Sequence, residues 1–295
     1  MRADIEKAIS LLKSEGNDGI GQALALLQDS VFSFSMRVCG HREDAEDTMQ
    51  EVLTRSLPFL SKFSSAKALT VWLYKVAKNR CLMSRRRSKF APKENLSLEE
   101  LMPDRKDLEH LATTERIDPE NTAIRAEEAY RLRQAIQKLP PAYRIVLVLR
   151  DMEGLSDQEV AEITGLRPGT VRVRLHRARL FVRNELAKQR GRSPRRAHPV
   201  ARSAHDPSRS PSCKAMFAEL SDYLDEQLDD SLCEELEKHL GGCTPCQAFL
   251  DSLKRTIEQC HETPQQRPDP AKAALLRQKL LAEYQSAMAA RAGSK

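Results

Sequence analysis

Leu24, Leu27, Val31, Phe34 and Val38 recur at three- and four-residue steps, so they mark one apolar helix face. The stretch "HREDAEDTMQEVLTRSLPFL" predicts a second helix with Ala45, Met49, Val52 and Leu53 inward. Its acidic residues Glu43, Asp44, Glu46 and Asp47 cluster at the helix start, where the macrodipole favours negative charge. "ALTVWLYKVAKNRCLM" predicts a third helix, followed by the basic run Arg85, Arg86, Arg87.

A second helical stretch covers residues 125–188. "AYRLRQAIQKL" stops at Pro140 and Pro141, which cannot continue a helix. "AYRIVLVLRDME" runs up to Gly154. Ser156 with Glu159 then has the capping-box spacing that opens a short helix carrying Val160, Ala161 and Ile163. Gly165 makes a turn, and Pro168 suits the first turn of the next helix, where its missing N–H costs little. Val171, Leu175, Ala178 and Val182 form that helix's buried stripe.

Between and after these stretches the pattern breaks. Residues 89–124 are polar and hold Pro92, Pro103 and Pro119, which predicts a linker. Residues 189–212 are rich in Arg, Ser and Pro and predict a tether without a core. Residues 213–260 return to a compact helical pattern, and 261–295 read as a polar tail with a lone amphipathic helix. The fold class expected is therefore all-α: residues 1–88 and 125–188 as two helical domains joined by a linker, and 213–260 as a small third domain.

Composition adds a mild bias. The chain has 295 residues and a net charge of +6, which favours polyanionic partners only weakly. "MRADIEKAIS" has no apolar signal core, and "IVLVL" at 145–149 is far too short to span a bilayer, so a cytoplasmic chain with no membrane partner is expected. Cys39 and Cys81 fall in apolar helical patterns and are expected to be buried free thiols.

Two groups of residues carry candidate chemistry. A short helix, a Gly-containing turn and a basic second helix form the helix-turn-helix plan for DNA. Arg172, His176, Arg179 and Arg183 share one face of the second helix, flanked by Arg174 and Arg177. Arginines there can reach phosphates and guanine edges, and a merely solvated basic helix is the alternative. The other group is "KHLGGCTPCQAFL". His239, Cys243 and Cys246 lie in H-x3-C-x2-C spacing, and Cys213 completes C-x25-H-x3-C-x2-C. Four nitrogen and sulfur donors suit tetrahedral structural zinc; a chance H-x3-C-x2-C spacing and a redox dithiol are the alternatives. No P-loop, Gly-rich nucleotide fingerprint or nucleophile–base pair occurs, so no enzyme is expected.

"LPPAYRIVLVLRDMEGLSDQEVAEITGLRPGTVRVRLHRARLFVRNEL" resembles the −35 reading region (region 4) of extracytoplasmic-function bacterial sigma factors. "DAEDTMQEV" resembles the family's core-polymerase-binding helix in region 2, and "FSSAKALTVWLYKVAKNR" its −10 element reader. The resemblance covers about residues 20 to 188 and implies an alternative sigma factor that binds core RNA polymerase and promoter DNA. It implies that Asp44, Glu46, Asp47 and Gln50 face the polymerase, an acidic helix on a basic coiled coil. It assigns a flipped −10 base to the loop Ser64, Ser65, Ala66 and Lys67, a further base contact to Asn79, and DNA backbone to Arg85 and Arg86. The −35 positions it implies are Arg172, Val173, His176 and Arg177, with Arg174 and Arg179 beside them. Val173 departs from the small polar residue common there, and His176 stands where an aromatic can occur. A helix-turn-helix regulator acting without polymerase is the competing expectation.

"LSDYLDEQLDDSLCEELEKHLGGCTPCQAFLDSL" resembles the zinc-binding anti-sigma domain, normally a separate protein that clasps a sigma factor. Here it implies a module fused to its own target. Its acidic excess leads to the expectation of an intramolecular contact with the basic faces of the two sigma regions.

Overall fold

The computed structural model describes residues 2–14, 16–63, 65–86, 95–103, 122–189 and 211–292. Every regular element among them is helical. The helices fall into two compact units, each assembled from separated stretches of chain.

The first unit takes residues 1–92, 148–166 and 264–295. It opens with α1 (Arg2–Ser14), α2 (Gly16–Cys39), α3 (Arg42–Ser56) and α4 (Ala66–Arg86). Leu24, Leu27, Val31 and Phe34 of α2 are fully buried, with Ala45, Met49, Val52 and Leu53 of α3, as their spacing requires. Phe34 stacks on Tyr74 of α4 with ring centroids 4.6 Å apart. Cys39 and Cys81 are not free thiols: a disulfide joins them, with Cα atoms 5.4 Å apart. Helical periodicity places both inward but says nothing of the distance between α2 and α4, and that distance decides pairing.

Two later segments complete this unit. A π-helical turn at Val148–Met152 leads to Glu153 and to Gly154, whose φ of 70° is a conformation that favours glycine. The short helix α8 (Asp157–Thr164) follows. Its capping box is formed: Ser156 Oγ accepts from the Glu159 N–H, and Glu159 Oε2 accepts from the Ser156 N–H at 2.9 Å. Gly165, at φ 75°, ends it. The last helix, α13 (Pro270–Ala292), does not stand alone as expected. Leu280 is fully buried, Gln28 donates to the Ala273 carbonyl at 2.9 Å, and Lys272 pairs with Glu46 at 2.6 Å.

The second unit takes residues 93–147 and 167–263. It contains α5 (Leu98–Leu101), α6 (Thr122–Lys138), α7 (Pro141–Leu147), α9 (Pro168–Gln189), α10 (Pro211–Leu224), α11 (Asp230–Gly242) and α12 (Thr244–Glu262). Arg144, almost fully buried on α7, ties back to the end of α6 through the Gln137 and Leu139 carbonyls. Val171, Leu175, Ala178 and Val182 of α9 are buried, the stripe that its sequence predicts. One apolar core joins Leu180 of α9 to Phe217 and Leu220 of α10, Leu236 and Leu240 of α11, and Phe249 and Leu253 of α12. Leu101 and Met102 also enter it, so part of the linker at 89–124 contributes to a core despite its polarity. Most of the tether expected at 189–212 lies outside the described residues.

Candidate nucleic-acid interface and metal centre

Helix α9 carries its basic residues on a face that the unit itself covers. Arg179 is almost completely buried, and its two terminal nitrogens hold both carboxylate oxygens of Asp225 at 2.8 and 2.9 Å. A bidentate guanidinium–carboxylate pair satisfies both charges, which makes so buried an arginine tolerable. His176 is buried with Nδ1 2.8 Å from Ser221 Oγ. Burial, then the nearby Arg179 and Arg177, push its pKa down to about 4. The imidazole is therefore neutral at pH 7.

The neighbours follow the same plan. Arg183 lies with Cζ 4.0 Å over the Phe249 ring and donates from Nε to Ser252 Oγ at 2.7 Å. Arg177 donates to the Leu96 carbonyl at 3.1 Å, and Arg172 approaches Asp222 at 4.0 Å. Arg174 lies over the Tyr143 ring, 5.9 Å from its centroid. Val173 alone of the six expected −35 residues is exposed, at 51%. The acidic partners come from the C-terminal end of α10: Asp222 lies in its last turn, and Asp225 directly follows it, its N–H donating to the Ser221 carbonyl.

The expected polymerase-facing residues sit together on α3. Asp47 and Gln50 are exposed, while Asp44 and Glu46 are half-buried. Glu46 accepts from Arg42 at 3.2 Å and from Lys272 at 2.6 Å, and this carboxylate raises the Lys272 pKa. Of the expected −10 residues, Ser65, Lys67 and Asn79 are exposed and Ala66 is half-buried. Ser65 Oγ accepts from the Ala68 N–H at 3.2 Å and so starts α4. Ser64 and the side chains of Arg85 and Arg86 lie outside the described residues.

At the end of α11, His239, Cys243 and Cys246 bring their donor atoms within 4.8 Å of one another. His239 Nε2 is 3.3 Å from Cys246 Sγ. The αα corner produces this cluster: α11 ends at Gly242, Cys243 breaks the helical path, and Pro245 sits in the first turn of α12. Donors bound to zinc at about 2.0–2.3 Å stand about 3–4 Å apart, so this imidazole and these two sulfurs fit that ion. Cys213 lies in α10, its side chain outside the described residues. Cys233 is half-buried and not part of the cluster, and Cys260 is buried.

Sequence reasoning missed the carboxylate of Glu153. It is buried between Arg37 and Tyr74, accepting from Arg37 Nη1 at 3.0 Å and from the Tyr74 hydroxyl at 2.6 Å. A glutamate directly before a turn glycine reads as a surface residue, and nothing local in the sequence marks its partners.

The comparisons with known proteins follow the same segments. Residues 25–90 match Sigma-70 region 2, residues 129–182 match Sigma-70 region 4, and residues 213–247 match a zinc-finger family. The ECF RNA polymerase sigma-E factor of Haemophilus influenzae is 31% identical over 49% of this chain and 76% of its own length. The chain belongs to the ECF sigma factors of RNA polymerase. The sigma factor is also similar to the RNA polymerase sigma-H factor of Pseudomonas aeruginosa, at 30% identity over 52% of this chain and 78% of that protein. SigW of Bacillus subtilis is 28% identical over 63% of this chain and 98% of its own length. Within the ECF sigma factor, the region 4 match takes in α9 as far as residue 182, and α3 and α4 lie wholly in the region 2 match. No helix among the described residues is long and apolar enough to cross a membrane.

Proposed function

We propose that this alternative sigma factor is held inactive in cis by its own C-terminal part. The observation that carries this reading is the buried Arg179–Asp225 pair. In DNA recognition Arg172, Val173, Arg174, His176, Arg177 and Arg179 would face the −35 element, with guanidinium groups on phosphates and base edges. In the masked form Asp225, Asp222 and Ser221 take the place of DNA acceptors on that face. An acidic surface that mimics phosphate competes with DNA at the same positions.

The residues after the zinc module support a second mask. Asp44, Glu46, Asp47 and Gln50 are proposed to dock on a basic surface of core polymerase, and Lys272 of α13 supplies a cation to Glu46 in its place. Ser64, Ser65, Ala66, Lys67 and Asn79, with Arg85 and Arg86, are proposed to receive the −10 element. The exposure of Ser65, Lys67 and Asn79 suits that role. Covalent linkage raises the effective concentration of the mask, so contacts of modest strength suffice.

Zinc, bound by Cys213, His239, Cys243 and Cys246, would close the corner between α11 and α12 as a Lewis acid held by four donors. His239 and the two cysteines would thereby fix α12, which holds Phe249 and Ser252 against Arg183. The reaction itself belongs to the polymerase; the sigma factor supplies recognition. The chain works where the polymerase works, in the cytoplasm. Core-dependent run-off transcription tests the reading. A chain that binds promoter duplex alone and never programs core enzyme contradicts it.

A further inference from the structure

Residues 148–166 fall within the region 4 match, yet they pack in the unit built on region 2. Two anchors hold them. The first is Glu153, whose carboxylate takes hydrogen bonds from Arg37 of α2 and Tyr74 of α4. The Arg37 and Glu153 side chains are 5% and 1% exposed. The second is Lys78 of α4, buried, with Nζ donating to the Ile163 carbonyl at 2.8 Å near the end of α8. A cation at the last carbonyls of a helix is favourably placed. Burial lowers the Lys78 pKa and raises that of Glu153, so both charges depend on the partners this docking provides.

Docking limits how far apart the two DNA readers can be. Lys78 is adjacent to Asn79, the expected −10 contact. From Ile163 to Pro168, where α9 begins, the chain spans at most about 18 Å. The whole of α9, 22 residues, adds about 33 Å. By their names the −10 and −35 elements are about 25 base pairs apart, which at 3.4 Å per base pair is about 85 Å along B-form DNA. A chain with Ile163 seated on Lys78 cannot engage both.

We infer that Glu153, Arg37, Tyr74 and Lys78 form a latch that closes region 4 onto region 2, and that the sigma factor must open it to read a promoter. The inference rests on the sigma reading but not on the zinc module, since none of the four residues lies in the module. The latch adds a second barrier to activation, set by a buried charge rather than by a metal.

Amide hydrogen exchange on the full zinc-loaded chain tests it, with core-dependent run-off transcription in parallel. Tyr74→Phe removes one hydroxyl and keeps the ring that stacks on Phe34. It is expected to raise exchange in 148–163 and 72–80 by about tenfold, the size expected for losing a hydrogen bond to a charged group. Glu153→Ala is expected to raise it further, and both variants to transcribe faster than the parent. Peptides from α12 should not change. Unchanged exchange at 148–163, or faster exchange without faster transcription, overturns the latch. Exchange rising equally in α12 also overturns it, because that reports general loosening. If no form programs core enzyme, the sigma reading itself fails, and the exchange data separate that failure from an absent latch.

Discussion

Arg179 on α9 and Asp225 at the end of α10 face each other through two hydrogen bonds of 2.8 and 2.9 Å, with Arg179 almost wholly removed from solvent. Removing one partner of such a pair strands the other charge in the interior.

Asp225→Ala is therefore expected to weaken packing of the module on α9 by about 3–5 kcal/mol. Hydrogen exchange of α10 and α12 measures this, and −35 duplex affinity should rise in the same variant. Unchanged exchange and unchanged DNA affinity would show that the pair masks nothing.

Acid should loosen the same face. His176 has its pKa lowered to about 4 in the folded chain, against 6.5 ordinarily. Between those values the unfolded chain binds more protons, so stability is full above pH 6.5 and is lost as pH falls towards 4. The loss reaches at most about 3 kcal/mol. The melting temperature of His176→Gln should depend less on pH across this window than that of the parent; parallel profiles would contradict the assignment.

Chelation should act on α11 and α12 first. The chain is expected to hold about one zinc, and Cys246→Ser to lose it. Zinc content by atomic absorption and the exchange of α11 measure this. Peroxide treatment adds a separate arm: zinc release with a gain in transcription supports a redox switch at Cys243 and Cys246, and unchanged zinc and transcription refute one.

The C-terminal helix has its own anchor in Leu280, fully buried. Leu280→Ala should cost about 2–5 kcal/mol. Faster proteolysis of α13 and tighter core binding are the expected readouts. Lys272→Glu, at an exposed pair, should have a smaller effect on proteolysis and a visible one on core affinity at low salt.

Much of this was legible in the sequence wherever the signal is local. The α9 stripe at Val171, Leu175, Ala178 and Val182, the Ser156–Glu159 capping box and the His239–Cys243–Cys246 cluster all follow from spacing within one or two turns. What the sequence did not disclose is pairing across long separations. Cys39 with Cys81, Glu153 with Arg37, Lys272 with Glu46 and Arg179 with Asp225 join segments whose approach is set by tertiary packing. The basic face of α9 shows the difference well. Periodicity groups Arg172, His176, Arg179 and Arg183 on one side, but only the fold reveals that this side is covered.

Core-dependent run-off transcription by the full chain and by a truncation after Ala187 tests the masking account most directly. The truncation lacks the zinc module and α13 while retaining nearly all of α9. The account predicts markedly higher transcription from the truncation at equal concentration. Equal or lower activity from a folded truncation would contradict it.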